Sequence, residues 1–405
     1  MTPRTRALSG LAGVAALVLA ATPAAVALEG ASTASPAAGS GATRHIVMLD
    51  AGADAWQPGA NRAAARSEVR AATAAAVAQA RGRGLQVERT FPALGGYVAT
   101  MTPAQARSLA TDPTVSSVEA DGVVTVSEVQ SGATWGLDRV DQRTRTLNGT
   151  YSYTATGAGV DAYIIDTGIR STHAEFAGRM RPGANFVSRG KSTTEDCNGH
   201  GTHVAGTVGG TTYGVAKGVN LVPVRVLDCR GSGSWSGVVA GMDWVAQKAQ
   251  GPSVANMSLG GGASTSIDQA VVRMTNAKVT TVVAAGNEDQ NACNVSPARA
   301  GSALTVGATD RNDTRASFSN FGTCVDIFAP GVGITSAWYQ SNTQTSTISG
   351  TSMAAPHVAG AAALVLQGSP TLSPAGVESA LESRATANVV GDPMGSPNLL
   401  LYTGP

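Results

Sequence analysis

The sequence predicts an α/β fold in which a doubly wound, mainly parallel sheet flanked by helices is preceded by a small α+β domain. From about Trp135 onward, short apolar runs alternate with helical segments, as in βαβ units. The apolar runs show no polar alternation, which is typical of strands buried on both faces of a parallel sheet. Glycine accounts for 49 of 405 residues and only 14% of residues are charged, which favours a compact domain with many tight turns.

The N-terminus has the pattern of a secretory signal peptide over residues 1–27. Arg4 and Arg6 precede an apolar run from Leu8 to Ala21, and Ala25-Val26-Ala27 forms a small-x-small cleavage site. The apolar run is too short to favour a membrane-spanning helix. We therefore expect the protein to be secreted, without stable membrane association.

A linker and a small domain are predicted to follow. Residues 28–43 are mostly Ala, Ser, Gly and Thr without an apolar period, which indicates the linker. The small domain, residues 44–127, has strand and helix patterns in the order βαββαβ, which is the order of a ferredoxin-like unit. Its first helix is rich in Ala, a strong helix former. The predicted elements are strands 44–49, 85–91, 97–101 and 115–119 and helices 63–80 and 103–110.

The larger domain, residues 128–405, carries the alternating strands and helices. Each predicted strand is an apolar run without polar alternation, and the first of them ends at Asp166. Helical stretches lie between several of the strands, as a parallel sheet requires. The predicted strands are 160–165, 220–226, 253–257, 279–284 and 303–306, and the helices between them include 237–249 and 266–277.

The charge balance argues against nucleic-acid binding. The formal net charge is +1 at pH 7, whereas a nucleic-acid-binding domain presents a concentrated basic surface. We therefore expect no nucleic-acid partner.

Four cysteines lie in the second two-thirds of the chain. Export would place them in an oxidising setting, where disulfides form. Three pairings are possible. One of them, Cys197–Cys229 with Cys293–Cys324, closes two loops of similar length, and each bond would add about 3–4 kcal/mol by restricting the unfolded chain. A zinc site is the alternative, but the sequence contains no C-x-x-C pair.

Polar residues fall at the carboxyl ends of the predicted strands, where open parallel sheets bind ligands. Asp166 follows the first strand and Asn287 follows the fourth. Asn256 and Ser258 lie at the end of the third strand, and His200 opens a glycine-rich helix start. We therefore expect an acid, an amide and an imidazole to meet at one edge of the sheet.

Ser352 lies just before an apolar helical run, Val358–Leu366. At a helix N-terminus, the free backbone N–H and the positive dipole end suit the stabilisation of an oxyanion. A serine hydroxyl is a poor nucleophile at neutral pH and needs a base, which His200 can supply. Asp166 would hold the imidazole tautomer, and Asn287 could donate its amide to the oxyanion. The sequence thus predicts nucleophilic catalysis by Asp166, His200 and Ser352.

Each of these residues taken alone has a simpler structural interpretation. A serine before a helix is usually an N-cap, and an aspartate after a strand is usually a turn residue. Two other functions stay open at this point. His200, His203 and Asp166 could form the metal site of a metallohydrolase, although a packed structural histidine is the commoner role for His203. The same fold could also belong to a catalytically silent peptide-binding protein.

Three motifs resemble the signatures of the subtilisin-like serine proteases, the peptidase S8 family. They are Asp166-Thr167-Gly168, His200-Gly201-Thr202-His203-Val204-Ala205-Gly206 and Gly350-Thr351-Ser352-Met353-Ala354-Ala355-Pro356-His357. The sequence is most similar to the proteinase K and aqualysin-like branch, on segments 135–138, 256–261 and 284–287. The resemblance runs from about residue 128 to the C-terminus. It implies a monomeric serine endopeptidase that cuts polypeptides through an acyl-enzyme, and it supports the near-neighbour cysteine pairing.

Residues 44–127 resemble the inhibitor-like propeptide of this family. The resemblance implies that this segment acts as an intramolecular chaperone and inhibitor, and that the enzyme removes it by cutting itself near Ser127–Glu128. It also implies that the C-terminal end of the propeptide, Gly122–Val126, lies in the active-site cleft as a product strand.

The resemblance further implies two walls of a substrate cleft. Gly231-Ser232-Gly233-Ser234-Trp235 and Ser258-Leu259-Gly260 would sandwich an extended peptide by strand addition. Ala284-Ala285-Gly286 would form one side of the S1 pocket, and Trp235 would line S4. These segments contain no Asp or Glu, so we expect broad cleavage after apolar and aromatic residues rather than selection of Lys or Arg.

Structural calcium is implied by the resemblance alone. Asp326, with the backbone carbonyls of Gly301 and Ala303, matches the tight calcium site of the proteinase K branch, and such oxygens are the ligands that calcium prefers. A second site would use residues near the start of the large domain, namely Asp138, Asp141, Gln142, Asn148 and Thr150.

Overall fold

The computed structural model describes residues 41–51, 62–125, 135–187 and 193–404. The predicted signal peptide, most of the predicted linker and the predicted processing point near Ser127–Glu128 lie outside the described residues. Within the described part of the chain, no helix is long and apolar enough to cross a membrane.

The N-terminal elements form an antiparallel sheet that packs against two helices. They are β1 (Thr43–Leu49), α1 (Arg62–Gly82), β2 (Gln86–Phe91), β3 (Gly96–Met101), α2 (Pro103–Ala110) and β4 (Val115–Ala120). The strand order is β2-β3-β1-β4, which gives the predicted βαββαβ arrangement. α1 buries one stripe at a spacing of about four residues, as an amphipathic helix does, and the stripe consists of Ala65, Val69, Thr73, Val77 and Ala80.

The remaining elements follow in chain order. The strands are β5 (Val123–Thr125), β6 (Asp161–Asp166), β7 (Ala184–Asn185), β8 (Asn220–Arg225), β9 (Ser232–Ser234), β10 (Ser253–Met257), β11 (Gly261–Gly262), β12 (Val279–Ala284), β13 (Val295–Ser296), β14 (Leu304–Thr309), β15 (Ile327–Pro330), β16 (Ile334–Ala337), β17 (Thr345–Ile348), β18 (Thr386–Ala387) and β19 (Leu399–Leu400). The helices are α3 (Trp135–Val140), α4 (His200–Gly209), α5 (Trp235–Lys248), α6 (Thr265–Asn276), α7 (Thr351–Gly368) and α8 (Pro374–Arg384).

The central sheet has the strand order β18-β19-β15-β14-β12-β10-β6-β8-β7. Every neighbouring pair in it is parallel except β18 with β19. The sheet grows from β6 in both directions, toward β8 and β7 on one side and toward β10, β12 and β14 on the other. This reversal creates a crevice at the carboxyl end of β6, which is where open α/β sheets bind ligands.

Helices cover both faces of this sheet. Ala162 and Ile164 of β6 pack in one core with α4 and α7. The alternate residues, Tyr163 and Ile165, pack in a second core with α5 and α6. That second core also contains Ile46 of β1, so the N-terminal sheet lies on the α5 and α6 side. The predicted doubly wound α/β fold is confirmed.

Capping side chains explain where several helices begin. The helix predicted over 237–249 begins two residues earlier, at Trp235, because the Ser234 hydroxyl accepts a hydrogen bond from Gly237 N. Ser264 caps α6 and Ser373 caps α8 in the same manner. Sequence periodicity alone does not locate these first turns, since their residues contribute little to the apolar face.

The cysteines form the two near-neighbour disulfides, Cys197–Cys229 and Cys293–Cys324. All four cysteines of the sequence are therefore paired. The first bond joins the loop that precedes α4 to the loop that precedes β9, and both loops lie beside the crevice.

Candidate active site

The three predicted catalytic residues lie at the ends of three elements that meet at the crevice. Asp166 is the last residue of β6, His200 is the first residue of α4, and Ser352 is the second residue of α7. The first two side chains are fully buried, and Ser352 is 2% exposed. Residues separated by up to 186 positions are thus held at one edge of the sheet.

Asp166 and His200 are in direct contact. His200 Nδ1 lies 2.8 Å from Asp166 Oδ1 and 3.0 Å from Oδ2. Because the carboxylate can only accept, Nδ1 is the ring nitrogen that donates, and Nε2 is then the basic nitrogen. Asp166 Oδ1 also accepts a hydrogen bond from Thr167 N at 2.7 Å, which fixes the carboxylate against the imidazole.

Ser352 is anchored to the end of β10. Its hydroxyl donates to the carbonyl oxygen of Ser258 at 3.2 Å, and the Ser258 hydroxyl donates to the carbonyl oxygen of Ser352 at 2.8 Å. Asn256 Nδ2 in turn donates to the Ser258 hydroxyl at 2.9 Å. These reciprocal bonds hold the first turn of α7 against β10.

Asn287 uses the two ends of its side chain differently. Its Oδ1 accepts hydrogen bonds from Thr351 N at 2.8 Å and from Thr351 Oγ1 at 2.9 Å. Its Nδ2 is buried and has no acceptor among the described residues. An orphaned buried N–H group destabilises a fold and is rare. Next to Ser352, this unpaired amide is suited to donate a hydrogen bond to an anionic ligand.

A pocket of about 400 Å³ opens beside Ser352 and Asn287. Of the predicted cleft residues, Leu259, Gly260, Ala284 and Gly286 line it, whereas Ser258 and Ala285 are buried behind its wall. The full lining is Leu259, Gly260, Gly261, Gly262, Ala284, Gly286, Asn287, Glu288, Gln290, Asn294, Val295, Ser296, Ala298, Thr351 and Ser352.

The pocket contains one carboxylate that the sequence analysis missed. Glu288 lines the pocket, and its Oε2 accepts a hydrogen bond from Asn320 Nδ2 at 2.9 Å. The predicted cleft segments contain no acidic residue, but the pocket that they help to form does. The specificity expected from those segments alone leaves Glu288 out of account. The signal was available, because Glu288 directly follows the oxyanion candidate Asn287.

The second predicted wall, residues 231–235, holds an extended segment of the same chain. β5 pairs with β9 as an antiparallel ladder, with Val124 opposite Gly233. Trp235 N donates to the carbonyl oxygen of Gly122 at 2.6 Å. The indole lies directly over Gly122, because a Cβ on that glycine would come within 1.7 Å of Trp235 Nε1. The predicted strand addition is thus present for Val123–Thr125, and Val126 lies outside the described residues.

The histidines near the site, other than His200, are packed and neutral. His203 Nε2 lies 2.9 Å from the carbonyl oxygen of Ile334, and burial lowers the pKa of His203 to about 3. His357 Nδ1 bonds the carbonyl oxygen of Met353 at 2.8 Å, and burial lowers the pKa of His357 to about 4. Since each of these two rings is hydrogen-bonded to a backbone carbonyl, the contacts give no support to a metal site built on His200 and His203.

Three carboxylates converge near the first predicted calcium site. Ligand atoms of Asp326, Glu378 and Glu382 lie within 4.8 Å of one another. Asp326 Oδ2 also accepts from Thr305 N at 2.7 Å, in the strand that follows Gly301 and Ala303. Burial, together with the neighbouring carboxylates, raises the pKa of Asp326 to about 6 and that of Glu378 to about 7. Such a cluster fits a hard divalent cation.

The residues of the second predicted calcium site also lie together. Asp138 Oδ2 accepts from Gly149 N at 2.7 Å, and Asp138 Oδ1 bonds both Gln142 Nε2 and Asn148 N. The Asn148 side chain accepts from Thr150 N at 2.9 Å. Asp141 Oδ1 is buried without a partner among the described residues, and burial, with the nearby Asp138 charge, raises the pKa of Asp141. This donor set is compatible with calcium.

Known proteins with similar sequences or folds are proteases. Residues 157–399 match the model of the subtilase family, peptidase S8. An extracellular serine proteinase of Thermus sp. (strain Rt41A) is 61% identical over 322 residues, which cover 79% of this chain and 78% of that protein. The alkaline serine exoprotease A of Vibrio alginolyticus is 52% identical over 326 residues, which cover 79% of this chain and 60% of that protein.

A solved structure gives the same result at the level of the fold. The crystal structure of a cold-adapted subtilisin-like serine proteinase matches with a TM-score of 0.65 at 56% identity, over 67% of this chain and 99% of that chain. The family match includes Asp166, His200, Asn287 and Ser352. The chain therefore belongs to the subtilase family and is a secreted, subtilisin-like serine endopeptidase.

Proposed function

We propose that Ser352, His200 and Asp166 carry out peptide-bond hydrolysis. His200 Nε2 takes the Ser352 proton as the hydroxyl attacks the scissile carbonyl, and Asp166 stabilises the imidazolium that forms. His200 then protonates the leaving amine, which leaves an acyl-enzyme, and water reverses these steps. The observation that carries this assignment is the 2.8 Å contact between His200 Nδ1 and Asp166 Oδ1 at the edge where Ser352 opens α7.

The tetrahedral oxyanion is bound by two N–H donors. One is Asn287 Nδ2, which is buried without an acceptor among the described residues. The other is the backbone N–H of Ser352, in the first turn of α7, where N–H groups have no partner within the helix. Donors held in place before the reaction cost no reorganisation when the negative charge develops, so they favour the transition state.

A serine-directed phosphonyl fluoride tests this assignment. The secreted protein should be labelled once, at Ser352, with loss of peptidase activity. The Ser352→Ala variant should take no label and should stay near its full exported length, because it cannot cut itself. Peptide binding without labelling of the wild type would instead favour the alternative, a catalytically silent peptide-binding protein.

Substrate specificity follows from the two walls of the cleft. An extended peptide adds to β9, as β5 does, and Gly231–Ser234 leave backbone groups open to it. The side chain before the scissile bond enters the pocket next to Ala284 and Gly286. Because the pocket is wide and Leu259, Val295 and Ala298 give it apolar surface, we assign broad endopeptidase activity with apolar and aromatic residues favoured at P1. Glu288 adds tolerance of basic side chains.

Residues 44–127 are proposed to be the propeptide that inhibits the enzyme before self-cleavage. β5 occupies the cleft, and the N-terminal sheet is held to α5 and α6 by two buried polar side chains. Asp243 Oδ1 accepts hydrogen bonds from Ala93 N at 2.9 Å and from Leu94 N at 2.8 Å. Arg273 donates to the carbonyl oxygens of Gly95 and Leu49 at 2.7 and 2.6 Å.

The same contacts suit a role as an intramolecular chaperone. They dock the N-terminal sheet on two helices of the large domain, and Glu119 Oε2 accepts from Ser266 N at 2.6 Å in the first turn of α6. A carboxylate at a helix N-terminus is stabilising. The propeptide would therefore favour the α5 and α6 arrangement before the large domain is complete.

Calcium is proposed as a structural cofactor at two places. At the first, the carboxylates of Asp326, Glu378 and Glu382 would hold the ion with the carbonyls of Gly301 and Ala303. At the second, the ligands would come from Asp138, Asp141, Gln142, Asn148 and Thr150. When bound, the ion supplies positive charge that offsets the repulsion between these acids.

A further inference from the structure

A buried carboxylate outside the catalytic set, Asp196, lies between the end of β6 and the start of α4. It is 8% exposed. Its Oδ1 accepts from Thr167 Oγ1 at 2.9 Å, Asn198 N at 2.8 Å and Gly199 N at 2.9 Å. Its Oδ2 accepts from Thr202 N at 2.9 Å and from Thr202 Oγ1 at 2.6 Å. One side chain therefore gathers five donors from the two segments that carry Asp166 and His200.

Two of these donors are hydroxyl groups with a second task. Thr167 Oγ1 accepts a hydrogen bond from Gly201 N at 2.9 Å, and Thr202 Oγ1 accepts from Arg170 N at 3.0 Å. A hydroxyl has one hydrogen, so donation to Asp196 fixes which way its lone pairs point. Without the carboxylate, both hydroxyls are free to rotate away from the backbone N–H groups that they now bind.

These bonds reach the immediate neighbours of the Asp166–His200 pair. Thr167 follows Asp166 and bonds its carboxylate through the backbone N–H. Gly201, which donates to Thr167 Oγ1, follows His200. Through Thr167, Asp196 thus sets the separation between the residue after the acid and the residue after the imidazole.

The segment after Asp166 and the start of α4 are in close backbone contact at Gly201. A Cβ on Gly201 would lie 2.2 Å from the carbonyl oxygen of Gly168 and 3.1 Å from Asp166 Oδ1. Backbone therefore packs directly on backbone at this point, and small displacements are transmitted to the hydrogen bond between Asp166 and His200. A displacement of this kind changes rate steeply, since about 1 Å of misplacement costs about 10²-fold.

We propose that Asp196 is a positioning residue for peptide-bond hydrolysis. It touches neither substrate nor the reacting atoms. By orienting the hydroxyls of Thr167 and Thr202, it holds the backbone on either side of the Asp166–His200 contact in the geometry needed for proton transfer. This inference rests on the proposed roles of Asp166 and His200.

The Asp196→Asn variant tests it at constant side-chain size. The amide replaces one acceptor oxygen by a donor NH₂, which then faces at least two N–H or O–H donors. We expect kcat, counted per active site titrated with a phosphonyl fluoride, to fall roughly 10- to 100-fold. KM should stay within about twofold, since the two cleft walls, residues 231–235 and 258–260, are not altered.

A threonine series separates positioning from general stability. Thr167→Val removes the hydroxyl at nearly constant volume and should lower kcat per titrated site. Thr167→Ser keeps the hydroxyl and should retain most of the wild-type kcat. Asp310→Asn is the matched control, because Asp310 Oδ1 also accepts two backbone N–H bonds, at 2.8 and 3.0 Å, in a turn of its own. Its kcat should equal that of the wild type.

The outcomes that overturn the inference are distinct from failure of the catalytic assignment. A wild type that takes no label would refute Ser352 as nucleophile. A labelled wild type with unchanged kcat per titrated site in both Asp196→Asn and Thr167→Val would refute positioning by Asp196. Equal losses in Thr167→Ser and Thr167→Val would do the same, since the hydroxyl would then not matter. If Asp196→Asn fails to mature, the comparison of Thr167→Val with Thr167→Ser still tests the inference.

Discussion

Asn287 combines an observed structural contact with the proposed role of an oxyanion donor. Its carbonyl oxygen fixes Thr351 at the start of α7, and its amide faces the pocket without an acceptor among the described residues. The same residue thus fixes the start of α7 and, in the proposed mechanism, would donate to the substrate oxyanion. The unmet hydrogen bond is a local instability that binding of this oxyanion would relieve.

Asn287→Ala should therefore lower kcat far more than it changes KM. The expected loss is about 10²–10³-fold, or about 2.7–4 kcal/mol, the range measured for the corresponding donor in a subtilisin. Steady-state kinetics on a chromogenic peptide measures it. Asn294→Ala, a change in the lining of the same pocket, is the control and should leave kcat near the wild-type value. A rise in KM with constant kcat would show that Asn287 binds substrate and transition state equally.

Glu288 should govern how well the enzyme accepts basic residues at P1. Glu288→Gln removes a negative charge from the pocket lining, so kcat/KM for substrates with P1 Lys or Arg should fall roughly 3- to 10-fold relative to P1 Phe. Because Glu288 is exposed, salt should screen the effect. Paired peptides at low and high ionic strength measure this, with Asp310→Asn, outside the pocket lining, as control. Equal changes for Phe and Lys would contradict the assignment.

Local patterns predict the catalytic candidates better than the rest of the site. Asp166 and Asn287 end or follow strands of one parallel sheet, and that rule brings them to one edge without further information. Glu378 and Glu382 are different. They are spaced i, i+4 on α8, but such acidic pairs are common on exposed helices. Their meeting with Asp326 depends on how α8 packs, which no local pattern encodes.

At the scale of elements, α5 carries a buried acid that faces the N-terminal domain. Burial raises the pKa of Asp243 to about 7, against the lowering effect of the Leu94 and Ala93 backbone bonds, the Gln247 amide and the Arg70 charge. In solvent an aspartate titrates near pH 4, approximately. When the N-terminal domain is docked, Asp243 therefore favours its protonated form. The stabilisation of docking by protonated Asp243 is fully present below about pH 4 and is lost as the pH rises through about 7.

The cleaved N-terminal fragment should therefore dissociate more readily at pH 8 than at pH 5. Size-exclusion chromatography of the self-cleaved protein at the two pH values measures the fraction of fragment that co-elutes. Asp243→Asn stays neutral and keeps an acceptor oxygen, so its co-elution should depend less on pH than that of the wild type. Asp310→Asn, distant from α5, should behave as the wild type. Identical pH profiles for wild type and Asp243→Asn would refute the role of Asp243.

At the scale of the whole molecule, strand order determines where the chemistry lies. β6 is the strand from which the sheet grows in both directions, and Asp166 sits at its carboxyl end. The apolar runs predicted that sheet, because buried parallel strands need no polar alternation. They did not predict short elements such as β7, β11 and β19, each two residues long, since two residues carry no periodicity.

Calcium should stabilise the folded molecule more strongly as the pH rises. In the metal-free protein the raised pKa values of Asp326 and Glu378 favour protonation, so the stability that these groups contribute is present near pH 4 and is lost as the pH rises through 6–7. A bound cation would offset the repulsion between the ionised carboxylates, so stability would no longer fall as they lose their protons. A chelator should thus lower Tm at pH 8, by at most roughly 2–4 °C per kcal/mol, the range for domains of about 150–250 residues, and by less at pH 5.

Thermal unfolding with and without chelator measures this difference. Glu382→Gln should reduce the calcium-dependent shift in Tm, and Asp310→Asn, outside both proposed calcium sites, should not. A chelator effect of equal size at pH 5 and pH 8 would argue against the carboxylate cluster as its source.

The docking of the N-terminal sheet has an evolutionary consequence. Asp243 and Arg273 bind main-chain atoms of the turn after β2 and of the end of β1. Any sequence that forms the same hairpin offers the same N–H and C=O groups. Ala93 and Leu94 of that turn are themselves buried in the core shared with α5 and α6. An inhibitor segment from a distant relative should therefore cross-inhibit this enzyme only where it keeps both the hairpin and buried apolar side chains at these two positions.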